Sequence, residues 1–157
     1  STEPRKNGRT YKQPWKFNRW GISRRLDRIP KKWTLTHIDA VPDNFLLYPR
    51  DGQTHLQLID WEYAGMQDPH VDIAMFCLYS LYDRDRIDRT IDVYFGGKCD
   101  DRIRVKIYCY IAACGLLWSN WSEYKRTLGV EFGDYAEHQY RYAKTYYEIA
   151  REEIAKL

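Results

Sequence analysis

Leu35-Thr36-His37-Ile38-Asp39-Ala40-Val41-Pro42-Asp43-Asn44, followed downstream by Leu58-Ile59-Asp60-Trp61-Glu62, is the stretch on which the reading of this chain turns. Two apolar-rich runs, Phe45-Leu46-Leu47-Tyr48 and Leu56-Gln57-Leu58-Ile59, are joined through Pro49-Arg50-Asp51-Gly52, whose Asp-Gly pair suits a tight reversal. Antiparallel strands joined this way bring Asn44, just before the first, and Asp60, just after the second, together at the open end of the hairpin. An amide oxygen and a carboxylate converging on one point form the oxygen-rich setting that Mg²⁺ prefers. Asp39, five residues before Asn44 on a loop stiffened by Pro42, supplies a second carboxylate that faces this point without ligating a metal. Phosphoryl transfer needs metal ions to neutralise charge between phosphates, and a carboxylate to orient the attacking hydroxyl and accept its proton.

Taken singly, each residue has an ordinary reading. Asp60 after a strand is a common turn residue, His37 a common structural histidine, and Asp39 and Asn44 common loop caps. The ordered set His-x-Asp-x-x-x-x-Asn, hairpin, Ile-Asp is what points to chemistry.

Working outward, Trp33–Thr36 reads as a brief strand, and Ile22, Leu26 and Ile29 as one face of a short helix stopped by Pro30. Residues 1–17 are polar and carry proline, hence extended. Downstream, a buried helix is expected over Asp72–Leu81, and a second over Arg84–Phe95 with Gly96-Gly97 as its stop. A long third helix runs from Arg102 to about Thr127, capped by Asp100 or Asp101 and ended by Gly129. A last amphipathic helix covers Tyr135 to about Ala155. The fold class is α+β and mostly helical, a small hairpin set in a helical lobe.

The composition, 44% hydrophobic and 30% charged, suits one folded domain and argues against disorder. The longest apolar run, Ile107–Trp118, is too short to span a bilayer, and no N-terminal stretch has signal-peptide character. A soluble, cytoplasmic protein is expected. The four cysteines form no Cys-x-x-Cys pair and lack histidine partners at zinc spacing, so they read as buried reduced thiols. The net charge of +3 conceals a basic head: residues 1–32 hold eleven Lys and Arg against two acids. A nucleic-acid arm is one reading of that head; a solvated basic segment beside a phosphate-handling site is favoured, since no nucleic-acid motif accompanies it.

The quoted segments resemble the catalytic loop of eukaryotic-like kinases, and more closely that of the aminoglycoside and choline kinase superfamily, which shares a protein-kinase-like fold. The resemblance implies Asp39 as catalytic base, Asn44 and Asp60 as Mg²⁺ ligands, and His37 as a structural member of the catalytic loop. Ile59-Asp60-Trp61-Glu62-Tyr63-Ala64-Gly65 is similar to the choline kinase form of the second motif, which brings Glu62 toward the substrate. Asp72, closing an Asp-Pro-x-x-Asp stretch, is similar to a family position that braces the catalytic loop by hydrogen bonds. Ile38 departs from the family, which frequently has Asn or Gly there. The Arg of protein kinases is also absent at this position, which disfavours regulation by activation-loop phosphorylation.

Trp118 and Trp121 lie three apart on one helix and share a face, and Phe132 and Tyr135 follow the Gly129 turn that folds them back. Aromatic faces around one space bind a quaternary ammonium, although spacing alone favours ordinary core packing. Leu117-Trp118-Ser119-Asn120-Trp121 and Val130-Glu131-Phe132-Gly133-Asp134-Tyr135 are similar to the choline-pocket region of choline kinases, which implies Trp118, Trp121, Phe132 and Tyr135 as the ammonium-binding walls. Tyr79 and Tyr82 are further candidates without a matching family position.

The resemblance covers roughly residues 22–150 and implies ATP and Mg²⁺ as cofactors, with choline or a similar amino alcohol as substrate. Kinases of this type clamp ATP with a second, N-terminal lobe carrying a Gly-rich loop and a strand Lys. Neither precedes His37, so residues 22–157 are expected to be the C-terminal lobe of a larger enzyme, with 1–21 as a basic extended segment. The polar start at Ser1 reads as an excised fragment. Rival expectations are an aminoglycoside or amino-sugar phosphotransferase, and a non-catalytic kinase-like binding module.

Overall fold

The computed structural model describes Ile29 and residues 32–157. The expected extended segment and most of the expected first helix lie outside those residues.

Strand β1 (Thr34–Thr36) pairs antiparallel with β4 (Gly65–Gln67), Leu35 opposite Met66. Between them, β2 (Phe45–Arg50) and β3 (Gln53–Leu58) form the expected hairpin, Phe45 opposite Leu58. Its turn is tighter than the sequence suggested. Only Asp51 and Gly52 lie between the strands, at φ 53° and 73°, the left-handed pair that matches strand twist. Pro49 is a strand residue opposite Thr54; a two-stranded ribbon has only edges, where proline is tolerated. The three-residue β4 was not foreseen, because Gly65-Met66-Gln67 is too short to show an alternation.

Four α-helices follow among the described residues: α1 (His70–Tyr79), α2 (Arg84–Tyr94), α3 (Asp101–Thr127) and α4 (Tyr135–Lys156). Helix α1 begins and ends two residues earlier than expected. At its start Asp68 Oδ1 accepts the His70 N–H at 3.1 Å, and at its end Leu81 turns to φ 50°. Asp83 and Asp100 cap α2 and α3 through the Arg86 and Arg102 amides at 2.9 and 2.8 Å. Gly96 and Gly97, both at positive φ, close α2, with the Gly97 N–H returning to the Asp92 carbonyl at 2.7 Å.

The core lies where α1 and α4 pack against α3 and α2 closes one end, with Leu78, Ile87, Ile91, Ile107, Ile111 and Ala150 fully buried. Helices α3 and α4 approach so closely at Gly115 that an added Cβ would sit 2.8 Å from the Gln139 carbonyl oxygen. All four cysteines are free, and burial pushes the Cys77 and Cys109 thiols up to about 12. None of the described helices is long and apolar enough to cross a membrane.

Candidate active site

The site begins where β1 ends. Thr36 is buried and its hydroxyl donates to the Gly65 carbonyl across the β1–β4 pair at 2.9 Å. The next two amides do not continue the ladder. The His37 and Ile38 N–H groups donate to Asp72 Oδ2 and Oδ1, each at 2.8 Å. A carboxylate in the first turn of α1 thus grips two consecutive peptide units of the loop.

The His37 ring is buried and its Nε2 lies 2.7 Å from the Ile59 carbonyl oxygen. A carbonyl only accepts, so Nε2 is the donor, and Nδ1 is buried without a hydrogen-bond partner in the protein. The Trp61 ring packs at a steep angle to the imidazole, centroids 4.8 Å apart, and is itself held by Nε1–H to the Leu58 carbonyl at 3.0 Å. His37 therefore ties the loop to the end of β3.

Beyond Ile38 the chain folds back sharply: the Val41 N–H returns to the Asp39 carbonyl at 2.7 Å, and Pro42–Asn44 form one 3₁₀ turn. This carries the buried Asn44 onto Asp39. Its Nδ2 donates to the Asp39 backbone carbonyl at 2.9 Å and reaches Asp39 Oδ2 at 3.4 Å. The Asn44 carbonyl accepts the Ile59 N–H at 2.9 Å, which extends the hairpin by one rung and sets Asp60 immediately beyond it. Asp39, Asn44 and Asp60 are thus collected at the open end of the hairpin. Asp60 is exposed and holds a left-handed backbone, φ 61°.

With Nδ2 engaged by Asp39, Oδ1 is the acceptor end of the Asn44 amide. Among the described residues no group of three or more His, Cys, Asp or Glu side chains is placed to hold a metal. The candidate donors are one amide oxygen and one carboxylate. Such a pair fits Mg²⁺, which is commonly bound by one or two carboxylates with water and phosphate oxygens completing the shell.

Glu62 and Tyr63 follow on the exposed side. The Tyr63 phenol is raised above its ordinary value by the Glu62 carboxylate first, with Asp39 and Asp60 contributing. Tyr63 therefore shares the field of the acidic loop. Sequence reading quoted it within the second motif and gave it no role.

The aromatic residues close into a ring. Successive centroids are 5.5 Å apart for Tyr79–Trp118, 5.2 Å for Trp118–Trp121, 5.2 Å for Trp121–Phe132 and 6.3 Å for Phe132–Tyr135. The Tyr79 and Tyr135 phenols, at the two ends of this run, are near enough to influence each other's ionisation. Both phenols are held above the ordinary range by burial, and both feel the Asp39 carboxylate. Trp118 Nε1 is buried without a hydrogen-bond partner in the protein. Lys125, one turn beyond Trp121, sets its ammonium 5.4 Å from the centre of that indole. Tyr82 belongs elsewhere: its ring packs on Phe76 and its carbonyl accepts the Tyr142 hydroxyl.

Comparison with known proteins accords with this geometry. The family model described as "Phosphotransferase enzyme family" matches residues 5–108. The protein LicA of Haemophilus influenzae is 33% identical over 108 residues, covering 64% of this chain and 38% of its own. A solved choline/ethanolamine kinase family protein from Mesorhizobium loti superposes with a TM-score of 0.67 at 26% identity, over 80% of this chain and 43% of that one. LicA in complex with AMP gives 0.66 at 32% identity, over 82% and 44%. The chain spans less than half the length of each of these relatives. Its helical lobe with small antiparallel sheets is that of the protein-kinase-like choline kinases. The chain belongs to the phosphotransferase enzyme family.

Proposed function

We propose that this chain forms the catalytic and acceptor-binding part of an ATP-dependent phosphotransferase that moves the γ-phosphate to the hydroxyl of choline or a related amino alcohol. The observation that carries this reading is the closed aromatic ring lying within the electrostatic reach of Asp39. A quaternary ammonium has no N–H to donate, so electron-rich faces recognise it better than acceptor oxygens do. An amino alcohol whose ammonium sits in the ring has its hydroxyl two carbons away, and in this reading that hydroxyl is directed to Asp39.

In this reading Asp39 orients that hydroxyl and takes its proton as the phosphorus–oxygen bond forms. The Asn44 amide, 3.4 Å from Asp39 Oδ2, steadies the carboxylate, and the two bonds from Asp72 fix the loop. Asn44 and Asp60 would hold magnesium, which when bound neutralises charge on the phosphates. Glu62 is exposed and in this reading is the acid complementary to a cationic substrate.

The nucleotide would be covered by polypeptide beyond these residues. Supporting this, Leu35, Leu47, Leu56 and Met66 are all exposed, Leu47 at 72% and Leu56 at 63%. Apolar side chains on both small sheets suit burial against another segment. Little activity is therefore expected of residues 1–157 alone, and a cytoplasmic location, where ATP is supplied, goes with the reading.

The test is turnover by the full-length protein with choline, ethanolamine and an aminoglycoside as acceptors. Phosphocholine formation is expected. An active enzyme that ignores choline overturns the choice of substrate.

A further inference from the structure

Lys106 lies on the buried face of α3, between Val105 and Ile107, with its side chain 2% exposed. An ammonium so placed is costly unless it is matched, and here it is matched once, at 2.6 Å, by Asp68 Oδ2. The Asp68 side chain is 6% exposed. Burial works against its ionisation, yet the Lys106 ammonium and the His70 amide outweigh it and hold the carboxyl below the usual range. Tyr110, one turn along α3, faces the same carboxylate; burial first, and Asp68 second, push its phenol up. The His70 ring adds a nitrogen 3.2 Å from Asp68 Oδ1, without the alignment of a hydrogen bond.

What this pair joins is the informative part. Asp68 follows directly on β4, the strand paired to β1, and precedes α1. Its Oδ1 accepts the His70 N–H and its carbonyl the Val71 N–H, so it builds the first turn of α1. Asp72 stands in that same turn and grips His37 and Ile38. Lys106 and Asp68 therefore tie α3 to the first turn of α1, and Asp72 in that turn holds the two peptide units before Asp39. A well-packed apolar pair is often as stable as a buried ion pair. Direction is what the ion pair adds: it locks one register of the α1 start against α3.

We infer that Lys106 is a positioning residue for the Asp39 loop, acting through Asp68 to set the first turn of α1 and with it the Asp72 carboxylate. Its value for catalysis rests on the phosphotransferase reading; the mechanical link does not.

The experiment is amide hydrogen exchange, resolved by residue, on the full chain. Lys106→Met alone strands a buried carboxylate and is prone to unfold, so the deciding variant is Asp68→Asn with Lys106→Met, which leaves no unpaired charge. With the tether gone, exchange at His37 and Ile38 should accelerate by about tenfold or more relative to Ile107 and Ile111 in the middle of α3. Unchanged relative protection at His37 and Ile38 overturns the inference. In the full-length enzyme the same variant should lower kcat while leaving KM for the acceptor within about twofold. Faster loop exchange in a protein that transfers no phosphate would retain the positioning role and reject the phosphotransferase reading.

Discussion

Asp72 Oδ1 accepts the N–H of Ile38 at 2.8 Å, and Ile38 holds φ at 70°. A β-branched residue in the left-handed region is strained, by roughly 1–2 kcal/mol. The Asn or Gly that the resemblance implies at this position are the residue types that adopt such angles most readily. Here the conformation is kept by force, because the second carboxylate oxygen takes the His37 N–H at the same distance and both peptide units must turn toward α1. Strain of this kind persists only where the surroundings over-determine it, and it gathers at working loops. Asp60, at the other side of the site, is also left-handed.

The clamp and the strain are therefore coupled. Asp72→Asn replaces one acceptor oxygen with a donor group facing an N–H, and should cost about 2–3 kcal/mol of stability. In an Ile38→Gly background the loop needs less holding, so the same substitution should cost about 1 kcal/mol less. Urea denaturation of the four proteins measures this; equal costs in the two backgrounds would show the clamp and the left-handed turn to be independent.

Asp39→Asn keeps an oxygen for the Asn44 amide and removes the group proposed as base. In the full-length enzyme kcat should fall by about 10²–10⁴. Affinity for a quaternary ammonium should fall far less, by about fivefold at most, since Asp39 contributes its nearby charge and is no wall of the ring. Steady-state kinetics and a binding titration together check both halves.

The ring makes its own prediction. Tetramethylammonium should quench the fluorescence of the paired indoles, and Trp121→Ala should weaken its binding by about 2 kcal/mol, or some thirtyfold. Tyr79→Phe removes a hydroxyl and keeps the aromatic face, so it should leave that affinity nearly intact. A Trp121→Ala protein that binds the cation unchanged would assign these rings to packing alone.

Much of this arrangement is legible in the residue order, and the exceptions have physical reasons. Asn44 and Asp60 adjoin because they flank a hairpin with a fixed two-residue turn, and the 3₁₀ turn at Pro42–Asn44 brings Asn44 onto Asp39. The ring is half legible: Trp118 and Trp121 share a helix face by spacing alone. Tyr79 comes from a different helix, and only the packing of α1 against α3 brings it in. Strand β4 escapes notice because three residues carry no period, although its pairing with β1 holds Thr36 in place. The Lys106–Asp68 pair is invisible for a related reason. A lysine among apolar helix residues reads as a solvated position until the partner, 38 residues away in sequence, is known.

Gly115 is needed for closeness and not for an unusual backbone angle. A Cβ there would lie 2.8 Å from the Gln139 carbonyl oxygen and 3.0 Å from the Ala143 nitrogen, both main-chain atoms of α4 that cannot swing aside. Glycine inside a helix ordinarily gives way to alanine with a gain of about 1 kcal/mol. Gly115→Ala should instead destabilise by about 1–3 kcal/mol, since α3 and α4 must part to admit it. Thermal or urea unfolding decides the sign.

His70 makes stability depend on pH. Its ring is held below the ordinary histidine range, by burial first and then by the Lys106 ammonium, against the opposing pull of Asp68. The edges of Tyr94 and Phe95, centroids 6.4 and 5.3 Å away, complete an apolar surround. In the unfolded chain this imidazole takes up its proton near pH 6.5, while in the folded protein it stays neutral to lower pH. Between those two values the unfolded state binds more protons, so acid favours unfolding. Stability contributed by His70 is accordingly whole above about pH 6.5 and declines as pH falls, with a slope no greater than about 1.4 kcal/mol per pH unit. His70→Gln removes the titrating group and should flatten the fall in urea midpoint between about pH 7.5 and 5.5. If the variant loses stability over that interval as steeply as the parent does, the pH dependence arises from other groups.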